Sequence, residues 1–258
     1  MALYNAKGQE ITVNVSSGNS GELAKKFLGK NIVWLGDSIH AYTQPDGVSI
    51  PYLFEYHSGA KCYNWCQGGT TMALTGVGNY DPYSGVGMVN ALVNRDFTEQ
   101  ETYMIDRNFE SQVSEMKALD FSTVDIVVIE FGTNDALKNV VLDNTDDIFD
   151  TSTTAGALRH MLKALLIAYP KLDIIVCNVQ PDKGWLDAEH TKSYDTAAQT
   201  EIINNVCDEF NIPVIDIYNE LGLNEYTEST LLHDGLHRSH EGKLKQVRLI
   251  ENKMIHYF

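Results

Sequence analysis

From residue 31 onward, the apolar positions of this chain alternate between two spacings. Asn31–Leu35 is a short apolar run that predicts a strand, Ser49–His57 has helical character, and Lys61–Trp65 predicts a second strand. Asp125–Phe131 is the clearest strand, because Ile126-Val127-Val128-Ile129 is apolar throughout, as a strand covered on both faces must be. Thr153–Tyr169 carries Leu158, Met161, Leu162, Leu165 and Leu166 at helical spacing and stops before Pro170. Leu172–Val179 predicts a fourth strand, Thr196–Phe210 a helix, Val214–Ile217 a fifth strand and Glu241–His256 a closing helix. Between Gly68 and Ser122 the chain is rich in Gly, Tyr and Asn, with helices expected near Ser84–Val93 and Phe109–Ala118.

Strands alternating with helices predict an α/β fold of three α/β/α layers around a five-stranded parallel sheet. In such sheets ligands bind beyond the carboxyl ends of the strands, so the chemical residues should follow strands and not precede them. Residues 1–30 read differently. Ile11-Thr12-Val13-Asn14-Val15 alternates like a short strand, and Ser16 to Gly21 reads as a linker. We therefore expect an N-terminal arm over 1–30, able to pair with a second copy or to cover an edge, and one domain over 31–258.

Composition narrows the function. With 258 residues, 43% of them apolar, the chain can fill a complete core. The 19 Lys and Arg against 35 Asp and Glu give a net charge of −16, which disfavours nucleic acid and anionic membrane surfaces as partners. No apolar stretch approaches the ~20 residues of a membrane helix. Met1–Glu10 lacks a basic region followed by an apolar run, so the expected setting is the cytoplasm; export without a signal, as in a phage particle, is the other. Cys62, Cys66, Cys177 and Cys207 lack zinc-finger spacing and read as buried thiols.

Four short segments carry chemistry. Gly36-Asp37-Ser38 follows the first strand directly, where a turn can expose a serine hydroxyl; the same tripeptide is also ordinary turn and cap chemistry. Gly68-Gly69 follows the second strand, where glycine lets backbone N–H groups approach a ligand or simply makes a tight turn. Gly132-Thr133-Asn134-Asp135 follows the third, and its Asn amide can donate into a cleft or cap a turn. In His233-Asp234-Gly235-Leu236-His237 the carboxylate can hold one ring nitrogen while the other faces a hydroxyl. His233, Asp234, His237 and His240 can also be read as a hydrolytic metal cluster, which would leave the Ser38 and Asn134 segments unexplained.

In order and spacing the four segments resemble the blocks of the SGNH (GDSL-type) hydrolase family, from Asn31 to the C-terminal helix. The resemblance implies the flavodoxin-like SGNH fold and a serine esterase that needs no cofactor and no metal. It casts Ser38 as nucleophile, His237 as general base and Asp234 as the acid that orients it. Its oxyanion donors would be the N–H groups of Ser38 and Gly69 and the side-chain amide of Asn134. Two features depart from the family. Cys66 stands where members often carry glycine, which leaves Gly68 and Gly69 as rivals, with Gly69 preferred from its spacing to Asn64. The insertion Met72–Ser122 exceeds what a minimal member needs, and we expect it to shape the substrate site. The sequence contains no Gly-x-Ser-x-Gly, which argues against the larger α/β-hydrolases.

The substrate is expected to be a small-molecule or glycan ester. Tyr42, Trp185 and Tyr80–Tyr83 lie in loops or beyond strands, where aromatics can stack on sugars, so removal of acetyl from a carbohydrate is the leading expectation. A general short-chain carboxylesterase or thioesterase is the alternative, and a catalytically silent glycan-binding subunit of an assembly is the reading from another class.

Overall fold

The computed structural model describes residues 3–4, 10–11, 27–181 and 196–258. Strands β1 (Leu3–Tyr4) and β2 (Glu10–Ile11) pair antiparallel, Leu3 opposite Ile11. Apart from Ile11, the strand expected over Ile11–Val15 lies outside the described residues.

The main sheet contains β3 (Asn31–Gly36), β4 (Lys61–Asn64), β5 (Ile126–Glu130), β6 (Asp173–Cys177) and β7 (Val214–Ile215), in the order β4-β3-β5-β6-β7 and parallel throughout. Successive side chains of a strand point to opposite faces, and here both faces are covered. Val33, Leu35, Val127, Ile129, Ile174 and Val176 join one core, with α3 (Gly85–Asn94), α5 (Glu110–Ala118), α7 (Thr154–Ala168) and α8 (Thr196–Phe210). Ile32, Trp34, Ile126, Val128, Ile175 and Cys177 join the other, with α2 (Ile50–Ser58) and α11 (His240–Tyr257). This two-sided burial is the physical reason for the apolar run in β5.

Between these elements lie the short α1 (Ser38–Ala41), α6 (Thr133–Leu137), α9 (Ile217–Glu220) and α10 (Glu228–Leu231), together with α4 (Thr98–Arg107). The sequence pattern does not show α4, because its only fully buried residue is Gln100 and its apolar residues, Tyr103, Met104 and Ile105, fall in one consecutive run and not at helical spacing. No helix of the described residues is long and apolar enough to cross a membrane.

The order of the sheet positions the site. The chain leaves β3 for β4 on one side and returns to β5 on the other, so the connections that follow β3 and β5 run to opposite sides and leave a crevice beyond the paired strand ends. Gly36 ends β3 opposite Glu130, and a Cβ at Gly36 would lie 2.7 Å from the Glu130 carbonyl oxygen. Glycine is what allows the two strand ends to come this close.

Candidate active site

Ser38 is the first residue of α1, and Asp37 caps that helix by accepting from the Ile39 N–H at 2.8 Å. The cap fixes the turn that presents the Ser38 hydroxyl beyond β3. On the opposite wall, a bridge between Leu232 and Arg238 and a bond from the His233 N–H to the His237 carbonyl at 2.8 Å close a tight loop. Inside that loop, Asp234 Oδ1 accepts from the N–H groups of Leu236 at 3.1 Å and His237 at 2.8 Å. Its Oδ2 meets His237 Nδ1 at 2.8 Å, and His237 Nε2 lies 2.9 Å from Ser38 Oγ.

The protonation states follow from the partners. Burial works to raise the Asp234 carboxyl, but the His237 ring and the two loop N–H groups outweigh it and hold the acid at about 2. An ionised carboxylate only accepts, so Nδ1 carries the proton, and a neutral ring then leaves Nε2 to accept from the serine. The arrangement can draw a proton from Ser38.

The glycine segment is held from several directions. The Gly69 backbone has φ +77, and a Cβ there would meet Tyr80 Cε1 at 2.9 Å. Four successive carbonyls accept from side chains: Gln67 from Thr70 Oγ1, Gly68 from Arg107 Nη2, Gly69 from Lys138 Nζ and Thr70 from Asn134 Nδ2. Asp135 accepts from the Met72 and Ala73 N–H groups at 2.8 and 3.1 Å. The Gly68 N–H is occupied by Gln67 Oε1 at 2.9 Å, whereas those of Ser38 and Gly69 find no acceptor among the described residues. The Asn134 amide donates to the Thr70 carbonyl at 2.9 Å and to Asp37 Oδ2 at 3.2 Å.

A buried polar layer lies beneath Ser38. Glu130, His40, Gln246, Arg238, Gln180 and Asp37 are all almost fully buried. Gln246 Nε2 donates to Glu130 at 2.8 Å, and the Glu130 carboxylate also contacts His40 Nε2. Arg238 Nε donates to Gln246 Oε1 at 2.7 Å and its Nη1 to Gln180 Oε1, while Gln180 Nε2 donates to the Leu236 carbonyl at 3.1 Å. Burial, with the Glu130 and Asp135 carboxylates adding to it, raises Asp37 to about 8 against the Ile39 N–H and Arg238. Burial likewise draws Arg238 down to about 10.

The segments singled out from the sequence thus meet in one crevice: Ser38, Asp234, His237, Gly69 and Asn134. The metal reading of the histidine segment does not fit the geometry. His237 Nδ1 is taken by Asp234, and His240 Nδ1 pairs with Asp46, whose Oδ1 accepts from the buried Lys243 at 2.7 Å. Among the described residues, the side chains close enough to share an ion are His40, Glu130 and Cys177, which belong to the buried layer. All four cysteines are free; three are buried and Cys62 is half-buried. Tyr42 lies against the His237 ring, and Tyr83 is buried with its hydroxyl on the Gln100 carbonyl. Trp185 lies outside the described residues. Sequence reading passed over Arg107, Lys138, Arg238 and Glu130. The visible signal was Glu130, a charge at the end of an apolar strand that has to find a partner inside the protein.

A family model described as GDSL-like lipase/acylhydrolase matches residues 35–244. The chain belongs to this family. This acylhydrolase acts on esters, and its fold recurs among solved structures. A Lactobacillus plantarum protein aligns with TM-score 0.67 at 17% identity, over 89% of this chain and 98% of its own. A lipase/acylhydrolase from Enterococcus faecalis aligns with TM-score 0.52 at 19% identity, over 87% and 95%. A GDSL-like lipase from Bacteroides thetaiotaomicron aligns with TM-score 0.52 at 18% identity, over 93% and 98%. At these identities the likeness speaks for the fold. No curated protein matches the chain in sequence.

Proposed function

We propose that this acylhydrolase is a serine esterase for short acyl esters, with Ser38 as nucleophile, His237 as general base and Asp234 as its orienting acid. One observation carries the reading: Ser38 Oγ, His237 and the Asp234 carboxylate form an unbroken relay of 2.9 and 2.8 Å contacts beside two unpaired N–H groups.

In the first step Ser38 Oγ bonds to the ester carbonyl carbon while its proton passes to His237 Nε2. The carbonyl π electrons move to oxygen, and the N–H groups of Ser38 and Gly69 receive that oxyanion. Asn134 Nδ2 is the third donor, and its longer bond, to Asp37, is the one the oxyanion displaces. Collapse breaks the bond to the alcohol, which leaves with the proton from His237. Water then repeats the sequence on the acyl-enzyme and restores Ser38.

A short acyl group suits the polar side chains next to the relay, where Lys138 and Asn134 hold the Gly69 and Thr70 carbonyls and Asp234 holds His237. For the alcohol part, the sugar reading loses Tyr42, whose ring packs on His237, and Tyr83, which is buried. An acetylated carbohydrate therefore stands beside simple short-chain esters as a substrate to be measured. The test is fluorophosphonate labelling, together with hydrolysis of p-nitrophenyl esters of rising chain length and of acetylated sugars, on wild type and Ser38→Ala. Labelling and acetate hydrolysis that vanish in Ser38→Ala are expected. A folded wild type that does neither overturns the esterase reading and favours a silent binding subunit.

A further inference from the structure

We infer that Arg107 is a positioning residue of the oxyanion hole, acting through the Gly68–Gly69 peptide; this rests on the esterase reading above. A peptide group is one resonance unit, so its carbonyl oxygen and its N–H respond together. The carbonyl of Gly68 and the N–H of Gly69 belong to the same peptide. Arg107 Nη2 donates to that carbonyl, and no acceptor among the described residues takes that N–H. A cation on the oxygen withdraws electron density from the nitrogen, strengthens the N–H as a donor and fixes its direction.

The surroundings fit this role. Arg107 is the last residue of α4, where helix carbonyls lack intrahelical partners. Its own carbonyl accepts from Gln67 Nε2 at 2.8 Å, and Gln67 Oε1 in turn takes the Gly68 N–H. Gln67 and Arg107 thus lock each other, and the lock occupies the rival donor while leaving the Gly69 N–H open. The Arg107 guanidinium stacks over the Tyr80 ring at 3.9 Å, and that ring is the one pressed against Gly69. Lys138 Nζ lies 4.7 Å from the same ring and binds the next carbonyl, that of Gly69. In a chain of net charge −16, Arg107 has no carboxylate at ion-pair distance among the described residues. Its charge is directed at the peptide. Arg107 and Tyr80 both come from the insertion between Met72 and Ser122, so the added segment serves the catalytic loop directly.

The experiment compares wild type, Arg107→Lys, Arg107→Gln and Arg107→Met in p-nitrophenyl acetate hydrolysis, with the Gly69 amide followed by ¹H–¹⁵N NMR. Arg107→Gln and Arg107→Met should lower kcat by about 10-fold or more with KM within about 2-fold, since the lost interaction is made in the transition state. Arg107→Lys should recover a large part of kcat. The Gly69 amide proton should move upfield in the two neutral variants and less in Arg107→Lys. Neutral variants with wild-type kcat, or an unmoved Gly69 amide, would overturn the role of Arg107 and leave the esterase reading standing. The amide shift needs no substrate, so it decides the matter even if the wild type fails to hydrolyse esters. If the Met variant does not fold, Arg107→Gln against Arg107→Lys gives the same comparison.

Discussion

Tyr42 lies flat on His237, with ring centroids 4.0 Å apart and planes inclined by 18°. Tyr42 follows α1 directly, and its N–H donates to the Ser38 carbonyl at 2.8 Å. The short helix that presents the hydroxyl is therefore followed by the ring that braces His237. Asp234 and Ser38 fix the imidazole within its own plane, and Tyr42 blocks the remaining rotation out of it. In the proposed mechanism His237 takes the serine proton, and the imidazolium then sits over an aromatic face, which is an attractive contact.

Replacing Tyr42 should therefore act on turnover. Tyr42→Leu is expected to lower kcat for p-nitrophenyl acetate by about 5-fold, equivalent to ~1 kcal/mol, with KM little changed. Tyr42→Phe should stay near wild type, because the contact uses the ring and not the hydroxyl. If Tyr42→Leu raises KM for an acetylated sugar while leaving the acetate ester untouched, the ring serves the substrate and not the base.

Asn134 has two partners that it holds and a third that we assign to it. Asn134→Ala should cost about 3 kcal/mol in kcat/KM, the usual loss for an oxyanion donor, a fall of roughly 100-fold. The variant should still be labelled by a fluorophosphonate, more slowly than wild type. A fall in the unfolding midpoint without loss of kcat would instead make Asn134 a brace between Thr70 and Asp37.

Much of this architecture was legible as pattern. The β5 run is apolar because both its faces are buried, and Thr154–Ala168 shows its inner stripe at helical spacing. The placement of Ser38, Gly69 and Asn134 after strands was legible for the same reason. What pattern could not supply is contact across long separations. Ser38 and His237 are 199 residues apart, and only the resemblance of four segments suggested that they meet. α4 was invisible because Gln100 alone is fully buried, so the origin of Arg107 was hidden too. The contact of Tyr42 with His237 was equally hidden, since an aromatic beyond a strand reads the same whether its face meets a sugar or a histidine.

Asp37 makes stability depend on pH in a direction opposite to a salt-bridged acid. Its folded value is raised to about 8 by burial and by Glu130 and Asp135, so the folded state holds a proton that the unfolded chain releases near its ordinary value of 3.8. That stabilisation is complete below the unfolded value and is lost as pH rises through about 8. Asp37→Asn imitates the neutral acid and should flatten this contribution. Between pH 5 and pH 8, urea unfolding should show wild type losing about 1 kcal/mol or more relative to Asp37→Asn. Parallel pH profiles for the two proteins would mean that Asp37 is ionised throughout.

Arg238 is the cation of the buried layer, and its removal should be the most damaging change there. It is fully buried, donates to Gln246 and Gln180, and lies near the Glu130 and Asp37 carboxyls. Arg238→Gln takes the guanidinium charge away from the Glu130 and Asp37 carboxyls and leaves the Gln180 and Gln246 oxygens short of a donor. Uncompensated buried charge of this kind costs about 3 kcal/mol or more. Arg238→Lys should recover little of it, because a single ammonium group cannot reproduce the fork that spans both glutamines. Because Gln180 also holds the Leu236 carbonyl, the loop carrying Asp234 and His237 should loosen along with the layer. Urea unfolding measures the first effect, and hydrogen exchange at the Leu236 and His237 amides measures the second. A midpoint within error of wild type would mean that the layer is held together without its arginine.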